Sequence, residues 1–186
     1  FTGDSLAPAM ERHVVHHDHP AHYLRITLLL DGTVPTVPGG DDYLMVDAFG
    51  GACLYVETAR DPVTSHGVLG WLVGGEAART MATWTDDDLV AAAVDALPPP
   101  LDACRNRLLE GRVHRWIDAV SAVPGGWKPL PVAARHRPAT GEPALFVVGD
   151  YLFDSTLNGV LDSAEYVAGW VATEFAEAHA ARDSTV

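Results

Sequence analysis

The chain has one lysine, Lys128, and two cysteines, Cys53 and Cys104, among 186 residues. Its 12 basic residues face 25 acidic ones, which leaves a formal net charge of −13. A surplus of that sign repels phosphates and argues against nucleic acid or an anionic membrane surface as partner. Two cysteines make no disulfide framework, so a reduced, cytoplasmic setting is expected. No apolar run reaches membrane-spanning length. The opening Phe1-Thr2-Gly3-Asp4 has no initiator Met, charged leader or signal-peptide core, and the chain is therefore expected to be a fragment or a subunit. No Gly-x-Gly-x-x-Gly occurs anywhere, so the phosphate-cradling half of a dinucleotide site is absent.

What is present suffices for a core. The chain is 48% hydrophobic, and its length fits one domain or one and a half. Strands are predicted at residues 23–30, 43–47, 52–57, 67–73 and 111–120, with 43–57 a hairpin turning at Phe49-Gly50-Gly51. Short helices are predicted at 76–83 and 101–110. Between them a third starts at Thr85, a good N-cap followed by Asp86, Asp87 and Asp88, where negative charge suits the helix dipole. Leu89, Val90, Ala93, Val94 and Leu97 give it an apolar face, and Pro98-Pro99-Pro100 ends it. The tail reads as a strand at 144–148, a polar loop, and a helix from Asn158 to about Ala181 whose apolar face is Leu161, Ala164, Ala168, Val171 and Phe175.

That tail holds the most chemistry. Gly149-Asp150 ends the predicted strand, and Asn158-Gly159-Val160 opens the helix. A carboxylate at a strand end accepts hydrogen bonds from hydroxyls, and a helix start offers unpaired N–H groups to an electron-rich edge. Gly159, without a side chain, allows a ring to approach the backbone closely. The same residues also fit an ordinary strand–loop–helix capped by Asn158.

Residues 145–170 closely resemble the C-terminal flavin-binding motif of the flavin-containing amine oxidase superfamily, which includes monoamine oxidase and phytoene desaturase-like enzymes. The resemblance continues more loosely upstream. His114-Arg115-Trp116 and Pro124-Gly125-Gly126 resemble the strand and turn before that motif. Asp47-Ala48-Phe49-Gly50-Gly51-Ala52, Leu69-Gly70-Trp71 and Pro20-Ala21-His22-Tyr23-Leu24-Arg25 resemble its substrate-side sheet. The resemblance implies FAD as cofactor. Asp150 would hold the ribityl chain, with Gly149 also among the cofactor-binding residues; Asn158, Gly159 and Val160 would meet the flavin ring edge, and Leu157 the ring itself. Trp116 and Trp127 would lie near the ring or substrate. No catalytic residue is assigned, because Lys128 does not sit where the family's lysine does.

The fold class expected is α/β (α+β): a mixed-sheet portion of a substrate domain at residues 1–110, then the strand, flavin-contacting loop and long helix of an FAD-binding domain at 111–186. The function implied is the C-terminal part or subunit of an FAD-dependent, amine-oxidase-like oxidoreductase that moves hydride from a small amine or an unsaturated, hydrophobic substrate to flavin. An N-terminal FAD-binding half would act with it, in cis or in trans. The alternative is a non-catalytic remnant or interaction subunit of the same fold.

Three other motifs compete. Gly3-Asp4-Ser5-Leu6 spells a serine-esterase nucleophile block, yet no strand precedes it and no histidine has an aspartate three residues before it. Residues 13–22 read as a histidine-rich connector. His13, His16, His17, Asp18, His19 and His22 have zinc-ligand chemistry but match no helical ligand pair, and no metal site is assigned. Cys53 and Cys104 read as core residues, since neither has a basic partner at a helix start.

Overall fold

The computed structural model describes residues 5–37, 42–57, 65–141 and 145–183. The chain divides into two compact units, one of Ala21–Ala119, the other of Phe1–Pro20 with Val120–Val186.

The first unit is a sheet with helices against it. Its strands are β1 (Pro20–Asp31), β2 (Tyr43–Val46), β3 (Ala52–Val56), β4 (His66–Gly74) and β5 (Leu108–Ser121), in the order β2-β3-β4-β1-β5. The β1–β4, β3–β4 and β2–β3 pairs are antiparallel. β1 forms because its apolar residues alternate: Leu24, Ile26, Leu28 and Leu30 are all fully buried on one face. The expected hairpin is present, with Tyr43 opposite Tyr55 and a left-handed Phe49 at its turn.

Helices α2 (Gly75–Met81) and α3 (Asp86–Asp95) cover the sheet. Ala78, Met81, Leu89, Ala93 and Leu97 join Leu54, Leu69, Trp71 and Val73 in one core. The fully buried Trp71 donates its indole N–H to the Ala93 carbonyl at 3.0 Å, which fixes α3 over the strands. Thr85 caps α3 as predicted, accepting from the Asp88 N–H at 3.2 Å.

The predicted helix at 101–110 does not form. Pro99–Arg107 is a 3-10 helix, and β5 begins at Leu108. Arg105 explains the tighter winding: its guanidinium donates to the Val94, Asp95 and Leu97 carbonyls at the end of α3. The segment is held to those orphan carbonyls rather than left to wind by its own propensity. Both cysteines are free, and burial raises the Cys104 thiol above its usual range.

The second unit contains α1 (Leu6–His17), α4 (Val132–His136), a 3-10 turn at Asp150–Leu152 and the long α5 (Leu157–Asp183). The first half of the expected connector is therefore helical: His13, His16 and His17 end α1, and only the stretch past His17 links it onward. Of the esterase-like block, Ser5 precedes α1, while Gly3 and Asp4 lie outside the described residues. Pro124-Gly125-Gly126 makes the predicted turn, with φ of 80° and 81° at the glycines. The Gly125 N–H donates to the Tyr151 carbonyl at 2.7 Å.

Two expectations for the tail are corrected. Residues 145–148 form no strand, and Ala144 lies outside the described residues. A strand needs neighbouring backbone to take its hydrogen bonds. Here Val147 N–H finds only the His136 carbonyl, at 2.9 Å. The face of α5 that packs is also not the predicted one. Gly159, Ser163 and Val167 are buried, whereas Leu161, Ala164, Ala168 and Phe175 are exposed, Phe175 at 73%.

Candidate functional site

The predicted flavin residues of the tail lie beside and within the Asp150–Leu152 turn and at the start of α5, two elements in contact. Gly149 donates its N–H to Ser163 Oγ at 3.0 Å, and the Asp150–Leu152 turn packs against α5. Ser163, fully buried, sits two turns into the helix and also lies 3.0 Å from Nε2 of the fully buried His136. His136 Nδ1 is 2.8 Å from the Val132 carbonyl, which can only accept. In the neutral ring the proton is therefore on Nδ1, Nε2 accepts from the serine hydroxyl, and the serine oxygen accepts from Gly149. This relay ties residue 149 to α5 and leaves none of its polar atoms unpaired. No local signal marks it, because His136 and Ser163 are far apart in sequence and neither stands in a recognisable motif.

Asp150, next along, is half-buried, and its carboxylate has no hydrogen-bond or ion-pair partner among the described residues. It raises the pKa of the adjacent Tyr151 hydroxyl, second to burial. Tyr151 stays protonated at neutral pH and lies 3.1 Å from His13 Nε2.

The loop into α5 is set by Thr156. Its hydroxyl donates to Asp154 Oδ2 at 3.0 Å and accepts from the Gly159 N–H at 3.2 Å. Thr156, not Asn158, is thus the capping side chain. The N–H groups of Leu157 and Asn158, two exposed residues that open the helix, have no partner among the described residues. Gly159 is buried, and a Cβ there would overlap the Asp154 carbonyl, whose carbon lies 2.7 Å away. Its lack of a side chain is required by the chain's own loop. Leu157 is 77% exposed, and Val160 is exposed beside it. Trp116 belongs to the sheet unit, where its exposed ring stacks on His114 with centroids 6.0 Å apart. Trp127 is exposed, edge-on to His19 at 5.6 Å.

Residues 40–172 match the family model described as flavin containing amine oxidoreductase, which is most of the chain. The chain belongs to that family. Its fold is similar to that of a protein assigned as a protoporphyrinogen oxidase from Exiguobacterium sp. 255-15, at 15% identity and a TM-score of 0.62, covering 84% of this chain and 35% of that one. It is similar also to cyclohexylamine oxidase from Brevibacterium oxydans IH-35A, at 18% identity and a TM-score of 0.58, covering 84% of this chain and 36% of that one. The chain thus spans about a third of the length of the solved structures it matches. No curated protein matches it. The family is flavin-containing, and the mixed α/β architecture agrees with the fold class read from the sequence. Among the described residues, no helix is long and apolar enough to cross a membrane, and no three His, Cys, Asp or Glu side chains are placed to hold a metal ion.

Proposed function

We propose that this chain is the C-terminal part of an FAD-dependent, amine-oxidase-like oxidoreductase, and that residues 149–160 hold the flavin end of the cofactor. Two observations support it: the Asp150 carboxylate has no partner among the described residues, and the N–H groups of Leu157 and Asn158 at the start of α5 have none either. The Gly149–Ser163 bond ties the residue beside Asp150 to the same helix. Acceptor and donors match the chemistry of the group. Ribityl hydroxyls donate to a carboxylate, and the edge of a flavin that turns negative on reduction is stabilised by helix N–H groups and dipole.

When bound, the flavin supplies hydride acceptance from a substrate C–H. The chain's own residues supply position and electrostatics. Asp150 orients the sugar-alcohol arm. The first turn of α5 steadies developing negative charge, and the exposed Leu157 and Val160 exclude water from the ring edge. Gly149 and Gly159 shape the backbone around it. Trp116 is proposed as a further ring-side residue on the resemblance alone. The substrate class proposed is a small amine or an unsaturated, hydrophobic compound, in a cytoplasmic enzyme. In this reading residues 111–186 are the cofactor side and 1–110 the substrate side. The adenosine and pyrophosphate contacts come from a Gly-x-Gly-x-x-Gly half, in cis or in trans.

The test is flavin retention. The chain is mixed with FAD, alone and with a polypeptide carrying that half, then desalted and read for visible flavin absorbance. Colour retained with the second half, and reduced in Asp150→Asn, supports the reading. No colour under either condition refutes it and identifies a non-catalytic remnant.

A further inference from the structure

Three histidines of α1 gather where the flavin reading uses none of them. His13 and His17 stand four residues apart and share one helix face, with ring centroids 4.6 Å apart. The His16 ring lies 4.8 Å from that of His17. His13 has Tyr151 as a hydrogen-bond partner, but His17 has none among the described residues. It is 7% exposed, and neither of its ring nitrogens makes a hydrogen bond. His16 Nε2 is likewise buried and unpaired. Buried polar atoms are rarely left so, and a cluster of them calls for a missing partner.

The three imidazoles line a cavity of about 320 Å³ within their unit. Arg12 and Arg137 line it too; Arg137 donates through Nη2 to the Glu174 carboxylate at 2.8 Å, while its buried Nε has no partner. Among the described residues, no carboxylate lines this cavity, in a chain whose formal net charge is −13. The rest of the wall is mostly apolar, with Ala9, Leu130, Ala134 and Pro138. Two guanidinium groups beside the imidazoles disfavour a cation.

We propose that this cavity binds a small organic carboxylate, its charged end against His16, His17, Arg12 and Arg137 and its apolar body against Leu130 and Pro138. Arginine forks suit carboxylate oxygens, and each imidazole offers a ring N–H. The apolar wall favours a carboxylate with a hydrocarbon body over inorganic phosphate.

Binding is coupled to a proton. Burial, then His13, His16, Arg135 and His19, lower the His17 pKa to about 4. Burial, then His16 and His136, lower that of His13. The Tyr151 ring, 5.4 Å from His17, completes the surroundings and is protonated. Both imidazoles are therefore neutral at pH 7 in the empty cavity. An arriving carboxylate stabilises the His17 imidazolium and draws in a proton, so affinity rises as pH falls.

The test is calorimetric titration of the full chain with benzoate, acetate and inorganic phosphate at pH 8 and pH 6. Ring resonances of the histidines locate the site. The expected result is one benzoate per chain, tighter than acetate or phosphate, with affinity rising by up to about tenfold per pH unit as pH falls. Arg12→Gln, at an exposed position, weakens binding several-fold without disturbing the fold. His17→Gln removes the pH dependence. Absence of saturable benzoate binding at both pH values overturns the proposal. So does binding that is indifferent to both substitutions, and phosphate binding tighter than benzoate overturns the assignment of ligand class.

Discussion

Gly159→Ala and Gly169→Ala make one chemical change twice in a single helix, and the structure gives the two opposite signs. A Cβ at Gly169 meets nothing within 4 Å. There alanine brings only its better helix propensity, a gain of about 0.5–1 kcal/mol. At Gly159 the same methyl overlaps the backbone carbonyl of Asp154, which no rotamer change relieves. The loop must move, and three bonds move with it: Thr156 N–H to the Asp154 carbonyl at 2.7 Å, the Thr156 hydroxyl to Asp154 Oδ2, and Gly159 N–H to the Thr156 hydroxyl. Losing the cap costs about 1 kcal/mol. The turn bonds contribute about 0.5–1.5 kcal/mol each, less where solvent competes. Against the propensity gain, Gly159→Ala should lose about 1–3 kcal/mol net. Urea unfolding followed by far-ultraviolet circular dichroism reads both variants, through midpoints at unchanged slope. If Gly159→Ala equals or exceeds the parent in stability, the reading of Thr156 and Gly159 as one interlocked start to α5 is wrong.

Ser163→Ala strands both the Gly149 N–H and His136 Nε2, and should destabilise the fold by about 1–3 kcal/mol in the same assay; a loss near zero would show that the relay does not hold residue 149. Arg137 lies over the rings of both Phe146 and Trp170, at 4.5 and 4.4 Å from their centroids, and pairs with Glu174 at 2.8 Å, so Arg137→Leu should cost about 1–2 kcal/mol and alter the Trp170 fluorescence; unchanged emission and melting would contradict those contacts. His17 should make the chain acid-sensitive. Its folded pKa of about 4 lies below the ordinary 6.5, so between those values the unfolded chain binds a proton that the folded chain refuses. Stability rises with pH through that window and falls as pH drops from 6.5 to 4. The melting temperature of His17→Phe should fall less than the parent's over the same range, and parallel curves would refute the assignment.

The sheet was legible because its signals are local. Alternation in β1, the Phe49-Gly50-Gly51 turn and the Thr85 cap each use neighbouring residues, and each stands where the sequence put it. The errors share a different cause. Residues 13–17 looked like a polar connector because histidine is a modest helix former. Their helix instead buries His13 and His17 as a pair four residues apart. Residues 101–107 do wind, but as a 3-10 helix, because Arg105 holds them against the Val94, Asp95 and Leu97 carbonyls. Residues 145–148 had a strand's composition without a strand's neighbour. In α5 the apolar periodicity was real, yet Ser163 and Val167 pack while the apolar row does not. The site followed the same division. Gly149, Asp150 and the helix start were marked by resemblance and spacing, whereas Ser163 and His136 depend on tertiary contacts; the Thr156 cap is local, set by Asp154 and Gly159, and Asn158 is an equally good capping type by residue alone.

Leu157, Leu161, Ala164, Ala168, Val171 and Phe175 follow one another at alternating steps of four and three along α5, the rhythm by which helices zip together. Of these only Val171 is even partly sheltered from solvent. A protein carrying so long a greasy seam is sensitive to its own concentration. Dilute and crowded samples need not hold the same species, and its hydrodynamic size is a quantity to be measured across a dilution series.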